Sequence, residues 1–177
     1  MFLVKILLFV IVGGIALVFY AATRPDTFAV ERSTTIAAPA DKLFPLINDM
    51  RAFNTWNPYA RKDPAMKADY SGAAAGPGAV FDFHGNKEVG RGRISITGAS
   101  VPSSVTMQLD MWEPFEGHNE VTFTLAPDGA GTKVTWAMHG PSAFITKLMG
   151  IFFNMDQMIG KDFEAGLANL KQLAEKA

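Results

Sequence analysis

The feature that most restricts the fold is a long apolar segment, Phe2–Ala22, in which Lys5 is the only charged side chain. At about 1.5 Å per residue, a helix of this length spans roughly 31 Å, close to the ~30 Å hydrocarbon core of a bilayer. Apolar residues occupy every side of such a helix, so it lacks the amphipathic stripe of a helix that packs on a soluble core. The segment therefore predicts a transmembrane helix.

A cleaved secretory signal is the main alternative for this segment. Signal peptides have an apolar stretch of about 7 to 15 residues, followed by small residues at the third and first positions before the cut. A cut after Ala21 or Ala22 would place Phe19 or Tyr20 at the third position, which fits poorly. We therefore expect an uncleaved single-pass anchor, and with it a membrane location, in a bacterial inner membrane.

The flanks of the segment fit an anchor but leave its direction open. Tyr20 and Arg24 stand where an interfacial aromatic ring and a snorkelling cation are expected. Lys5 on one side faces Arg24 and Arg32 on the other, so the count of positive charges is nearly tied. We expect an anchor over residues 1–24 and one globular domain over residues 25–177, on a side of the membrane that the sequence does not decide.

The charge balance and the absence of cysteine exclude several functions. The chain has 16 basic and 17 acidic residues and a formal net charge of −1, so no field attracts a phosphate backbone. We expect no nucleic-acid partner. With no cysteine, the chain has no disulfide, no thiolate metal site and no cysteine nucleophile.

The globular part alternates between two periods. Residues 28–36 alternate with period two and are rich in β-branched types, which predicts a strand, and short helices are expected over residues 38–47 and 51–56. No helical period occurs from there to Gly140. Turn-forming glycines and prolines instead separate six runs that predict antiparallel strands. These runs are residues 67–71, 79–84, 91–99, 104–112, 118–126 and 132–139.

The last part of the chain returns to helical spacing. Apolar residues from Phe144 through Phe152 to Leu170 recur every three or four positions, which is typical of a helix with one face on a sheet. Gly150 costs about 1 kcal/mol in a helix interior, so we expect a break near it and a better helix over residues 154–175. The predicted class is α+β, with a curved antiparallel sheet around a long C-terminal helix.

Parity within the strands predicts which side chains meet this helix. Val105, Met107, Leu109 and Met111 share one face of their strand, while threonine and charged residues share the other. Large aromatic residues and methionines are therefore expected between sheet and helix. They either fill a dry core or line an apolar pocket, because methionine suits both.

Several local motifs, in their order, carry a resemblance to a known superfamily. They are VERS at 30–33, IAAPA at 36–40 with Phe44, ND at 48–49, WNP at 56–58, YSG at 70–72, GN at 85–86 with Gly90 and Gly92, GTKVTW at 131–136, GKDFE at 160–164, GL at 166–167 and LK at 170–171. With these motifs the chain resembles the helix-grip superfamily, also called SRPBCC, which includes START lipid-transfer domains, polyketide cyclases and plant pathogenesis-related ligand carriers. It is most similar to the bacterial polyketide cyclase/dehydrase-like group.

The resemblance implies a deep cavity between sheet and C-terminal helix that holds a lipid or another hydrophobic molecule. We expect a membrane-anchored binding protein without cofactor or metal, and the alternative is a cyclase or dehydratase that uses the same cavity. The superfamily mixes carriers, enzymes and regulators, so the fold alone does not imply a reaction. The expected ligand-binding residues are Trp56, Phe81, Phe83, Met107, Leu109, Met111, Phe123, Trp136, Met138, Phe152, Met155, Ile159 and Phe163.

No catalytic set is evident among the polar residues, and we name no catalytic residue. The histidines, His84, His118 and His139, lack a partner at the spacing of a helical metal site, and parity places His84 and His139 towards solvent. Asp110 falls on the polar face of its strand, as does Glu120.

Two loops near the expected cavity carry further hypotheses. Glu113 and Glu116 lie at a turn where carboxylates guard a cavity mouth or are simply solvated. Trp56 opens the WNPY run at 56–59, which forms either a cavity lid or a structural wedge.

Overall fold

The computed structural model describes residues 2–176. Its helices are α1 (Phe2–Ala22), α2 (Ala40–Asn48), α3 (Met50–Trp56), α4 (Pro58–Lys62), α5 (Phe144–Phe152) and α6 (Met155–Lys176). Its strands are β1 (Thr27–Ile36), β2 (Lys67–Gly72), β3 (Ala79–His84), β4 (Arg91–Ser100), β5 (Ser104–Glu113), β6 (Gly117–Asp128) and β7 (Gly131–Pro141). The α+β class and all seven strands predicted from the period are confirmed, with ends that differ by two residues or fewer.

In the described part of the chain, the strands form one antiparallel sheet in the order β1-β7-β6-β5-β4-β3-β2. Consecutive strands from β2 to β7 pair as hairpins, and β1 joins the far edge beside β7. The register places Phe123 opposite Trp136 and Met107 opposite Val121, and all four side chains are buried. The predicted parity is therefore confirmed, and the apolar face is the inner one.

Helix α6 lies across the inner face against β1 and β7. Its buried side is formed by Phe163, Leu167 and Leu170, spaced by three and four residues. Arg32 of β1 fastens the start of the helix, with 2.9 Å from Nη2 to Asp156 Oδ2 and 2.8 Å from Nε to Glu164 Oε1.

The short helices α2 and α3 cover one end of the sheet. The Asp49 carboxylate caps α3 by accepting hydrogen bonds from the backbone N–H groups of Arg51 and Ala52. Pro39, which was expected in the first turn of α2, stands at its N-cap. The side-chain N–H of buried Trp56 donates to the carbonyl oxygen of Leu46 at 2.8 Å, which joins the two helices.

Helix α4 was not predicted. The Asn57-Pro58 pair indicates an end of α3, but it also starts a new helix. The Asn57 side-chain oxygen accepts a hydrogen bond from the Tyr59 backbone N–H. Pro58 occupies the first turn, where a backbone N–H would have no partner within the helix, so its absence costs nothing. The five residues of α4 are too few to show a helical period.

The break predicted near Gly150 is confirmed, because α5 ends at Phe152 and α6 begins at Met155. The expectation that Phe144 and Phe152 face the sheet is wrong. Their exposed fractions are 48% and 65%, and α5 packs against α1 instead. The chain turns at Phe153, so α5 and α6 need not be collinear. The apolar residues that share one helical spacing in the sequence therefore belong to two helices with different surroundings.

Candidate binding cavity

A cavity of about 310 Å³ lies between the inner face of the sheet and the first half of α6. Alternate residues of β3 to β7 supply its walls because they point inward from the pleat. The apolar side chains that line it include Phe28, Phe53, Met66, Phe81, Phe83, Val89, Ile94, Met107, Leu109, Met111, Val121, Trp136, Met138, Met155, Ile159 and Phe163.

The structure brings together most of the residues expected from the sequence to bind a ligand. Those that line the cavity are Phe81, Phe83, Met107, Leu109, Met111, Trp136, Met138, Met155, Ile159 and Phe163. Trp56, Phe123 and Phe152 lie elsewhere. The first two are fully buried behind the wall, and Phe152 is exposed on α5.

An aromatic cluster closes the inner end of the cavity. Trp136 stacks on Phe163 with ring centroids 4.2 Å apart and planes inclined by 9°. Behind it, Phe123 lies 4.9 Å from Trp136 and Trp56 lies 5.8 Å from Phe123, and Phe53 meets Trp56 edge to face at 4.9 Å. Trp56 and Phe123 therefore support the wall from behind. For Trp56, the structural wedge is the alternative that its burial supports.

Close packing of α6 on this cluster depends on Gly166. A Cβ atom at this position would lie 2.6 Å from Cζ3 of Trp136 and 3.0 Å from Cδ of Pro58. Only glycine leaves room for both rings at this distance, and the approach holds Trp136 in its place in the wall.

The polar residues that line the cavity are Asn57, Tyr59, Glu88, Glu116, Asn119 and Thr146. None of them is among the ligand-binding residues expected from the sequence. The Asn57 amide is committed within the protein, since it donates to Asn54 Oδ1 at 3.0 Å and accepts from the Tyr59 backbone. Burial raises the pKa of Tyr59, and a hydrogen bond to the Asp162 carboxylate adds to the shift. Tyr59 therefore stays protonated at neutral pH. In the sequence, Asn57 and Tyr59 belong to the WNPY run at 56–59, which is the local motif that points to them.

At the open end, two segments face each other across the mouth. The turn between β5 and β6 contributes Pro114, Phe115 and Glu116, and the start of α5 contributes Ala143 and Thr146. Glu116 thus stands at the mouth and is also exposed to solvent, whereas Glu113 does not line the cavity, so both hypotheses for this turn stay open.

A second hollow, a groove of about 590 Å³, adjoins the cavity. It lies between residues 24–28, α5 and the start of α6. The residues common to groove and cavity are Phe28, Thr146, Met155 and Ile159. The groove and the cavity are therefore adjacent beside α5, where the same side chains line both.

The polar candidates for chemistry lie on the outer face of the sheet. His118 Nδ1 is 2.7 Å from Asp110 Oδ1, and this hydrogen bond raises the pKa of His118. Arg93, opposite Asp110 in the register, pairs with Asp82 at 2.7 Å. These groups form a ladder of alternating charge across four strands, away from the cavity.

The two remaining histidines are exposed, as their parity predicted: His84 and His139 both face solvent. Among residues 2–176, no three His, Asp or Glu side chains are grouped so that they could hold a metal ion.

One helix in the described residues is long and apolar enough to cross a membrane. Its most apolar part is Val4–Ala22, 19 residues with a mean hydropathy of 2.5 and little burial against the rest of the protein. These properties are shared by membrane spans and by signal sequences.

Comparison with known proteins agrees with this architecture. A family profile described as polyketide cyclase/dehydrase and lipid transport matches residues 27–175. No curated protein matches the chain significantly in sequence.

Solved structures with a similar fold include two bacterial proteins and Ara h 8.0201. A protein from Chromobacterium violaceum is 16% identical with a TM-score of 0.59, and the match covers 86% of this chain and 99% of that one. A protein from Mycobacterium smegmatis is 17% identical with a TM-score of 0.58, over 84% and 91% of the two chains. Ara h 8.0201 is 12% identical with a TM-score of 0.58, over 85% and 99%. At these identities the likeness shows the fold alone.

Proposed function

Because the chain belongs to the polyketide cyclase/dehydrase and lipid transport family, we propose that it is a membrane-anchored protein that binds a hydrophobic small molecule or lipid. The observation that carries this proposal is the apolar cavity between the sheet and α6. Its volume of about 310 Å³ falls at the lower end of the range of ligand sites, about 300–1,000 Å³. A bound molecule is therefore small, or it extends through the mouth.

The cavity is distinct from a fully packed core. Protein interiors normally leave few voids larger than a water molecule, because each void forfeits dispersion contacts and destabilises the fold. Here the hollow lies beside side chains that pack tightly, such as Trp136 on Phe163 at 4.2 Å. Methionines contribute flexible, polarisable walls, which favours a ligand recognised by shape and apolar contact.

The proposed anchor is α1. From Val4 to Tyr20 the helix exposes most of its apolar side chains, which is favourable in lipid and costly in water, and only Ala21 at its end is buried. The Arg24 guanidinium lies 5.1 Å from the centre of the Tyr20 ring, at the end where the chain would leave the hydrocarbon.

Binding is favoured over catalysis by the position of the acid and base groups. A cyclase or dehydratase needs at least two polar groups within reach of the substrate. Asp110 pairs with His118 on the outer face, and His84 is exposed, so these groups do not meet inside the cavity. Of the polar groups that line the cavity, Asn57 and Tyr59 are bonded to protein partners. The two lining carboxylates, Glu88 and Glu116, are exposed to solvent.

Native mass spectrometry of the full chain, extracted from membranes in mild detergent, tests the proposal. We expect a co-purifying apolar molecule, which lipid extraction and mass analysis would identify. In Leu109→Trp a larger ring fills the cavity, so the molecule should be lost. Leu173→Trp, on the exposed side of α6, is the matched control and should keep it. Equal occupancy in both variants, or an empty natural chain, would count against binding in this cavity.

The anchor is tested separately. The chain should remain in the membrane fraction after an alkaline carbonate wash, with α1 still present by mass. Release of a shortened chain would identify the segment as a cleaved signal.

A further inference from the structure

The exposed apolar side chains outside α1 are concentrated at one place on the molecule. Two short segments hold most of the large ones: the turn at 112–115 and the stretch 144–158. Their members are Trp112, Phe115, Phe144, Ile145, Phe152, Phe153 and Met158, with exposed fractions from 40% to 65%. Clustered exposure of this kind marks an interaction surface, because scattered apolar residues are the norm on a soluble protein.

Both segments border the cavity or the groove that adjoins it, since Phe152 and Phe153 line the groove. Phe115 lines the mouth on the side of the β5–β6 turn, and Ala143 and Thr146 line it on the side of α5. We call this surface the rim. The apolar surface therefore continues from the exposed rim into the cavity.

The same end of the sheet receives the chain from α1. Strand β1 starts at Thr27, which pairs with Pro141 at the end of β7, and β6 starts at Gly117, which pairs with Met111 near the end of β5. The exit from α1 and the cavity mouth are therefore at one end of the sheet by topology alone.

Helix α5 is fastened to the linker that follows α1. The Lys147 ammonium forms an ion pair with the Asp26 carboxylate, and the Lys147 side chain is almost fully buried. The Ser142 backbone N–H donates to the Asp26 carbonyl oxygen at 2.7 Å. These bonds hold α5 beside the end of α1, where the two helices also pack against each other.

The charges near the rim indicate what kind of surface it meets. Basic side chains are not in excess there: Arg24, Arg91 and Lys147 stand against Asp26, Glu113, Glu116 and Asp156. Such a set gives no strong attraction to anionic lipid, so contact depends on apolar insertion. The exposed Trp112 adds a side chain suited to the headgroup region.

From these observations we infer that the cavity mouth rests on the bilayer surface, with the rim inserted among zwitterionic lipid headgroups and the ligand exchanged directly between cavity and membrane. The inference rests on the proposed anchor. The groove beside α5 is lined by Arg24 and Pro25, directly after α1, and it adjoins the cavity, so it lies between the end of the anchor and the ligand site. An interfacial helix of this kind typically inserts about 5–10 Å, enough to cover the exposed side of α5.

Fluorescence from single labelled positions tests the inference on the full chain. Because the sequence has no cysteine, each introduced cysteine is the only thiol available for an environment-sensitive dye. Phe115→Cys and Phe152→Cys place the dye on the two sides of the rim. Val101→Cys is the matched control, since Val101 is 76% exposed in the β4–β5 turn at the opposite end of the sheet.

The labelled chains are reconstituted in phosphatidylcholine vesicles. We expect the dyes at 115 and 152 to emit at shorter wavelength, to be quenched by spin-labelled lipid, and to be shielded severalfold from aqueous iodide relative to the dye at 101. Adding anionic lipid should change these differences little.

Three positions equally open to iodide, in chains that stay with the vesicles after a carbonate wash, would overturn the inference and leave the anchor intact. Chains that fail to stay with the vesicles would overturn the anchor and the inference together. Ligand occupancy of the cavity, measured by native mass spectrometry, is independent of both results.

Discussion

Replacing Gly166 with alanine tests how tightly α6 is packed on the wall of the cavity. The added Cβ would lie 2.6 Å from the Trp136 ring and 3.0 Å from the Pro58 ring, and rigid rings cannot rotate away as a flexible side chain can. Overpacking of a core costs about 1–3 kcal/mol, and better helix propensity returns about 1 kcal/mol. With two contacts this short, we expect a net loss of about 1–2 kcal/mol in the free energy of unfolding.

The assay is thermal unfolding of the full chain in detergent, followed by circular dichroism. For a chain of this size, about 1–2 kcal/mol corresponds to a melting temperature roughly 2–8 °C lower. Gly150→Ala is the matched control, because no atom lies within 4 Å of its added Cβ and propensity alone should raise stability by up to about 1 kcal/mol. If Gly166→Ala were as stable as Gly150→Ala, the close approach of α6 to Trp136 would be refuted.

Two further substitutions examine single hydrogen bonds. The bond from Asp110 raises the pKa of His118 above its ordinary value, so protonated His118 stabilises the fold at low pH and this contribution is lost as pH rises through the raised pKa. The substitution Asp110→Asn should return the pKa of His118 towards its ordinary value, which an NMR titration of the ring measures; an unchanged pKa would contradict the pairing. Trp56→Phe leaves the carbonyl oxygen of Leu46 without its buried donor and should cost about 1–3 kcal/mol in thermal unfolding, whereas a neutral result would show that water replaces the bond.

The strands and the inner face of the sheet could be predicted because side chains alternate between the two faces of every strand, whatever surrounds it. Val105 and Met107 point inward wherever the strand lies, so parity alone identifies them. Parity does not report the position of a residue along the strand relative to the cavity. Phe123 shares its face with Val121, but it lies deeper, behind Trp136, and supports the wall instead of lining it.

The parts that could not be predicted depend on short segments and on contacts distant in sequence. Helix α4 is shorter than two helical turns, so no periodic signal exists for it. The apolar residues of α5 continue the spacing of α6, and only the turn at Phe153 separates them. That Phe152 faces outward follows from the packing of α5 beside α1, which no local pattern reports.

The central claim, that a hydrophobic molecule occupies this cavity, is tested most directly by methyl NMR of the methionines. Some methionines line the cavity, and others lie outside it and serve as internal references. The lining residues are Met66, Met107, Met111, Met138 and Met155. Met50 is buried away from the cavity, and Met158 is exposed on α6.

The measurement uses the full chain in amphipol, labelled with ¹³C at the methionine methyl groups and titrated with dodecanoic acid. We predict saturable shifts of the lining methyl signals, with Met50 and Met158 unchanged and with all shifts abolished in Leu109→Trp. Shifts confined to Met158, or no saturable shift of any lining methyl group, would contradict the claim that this cavity is a binding site.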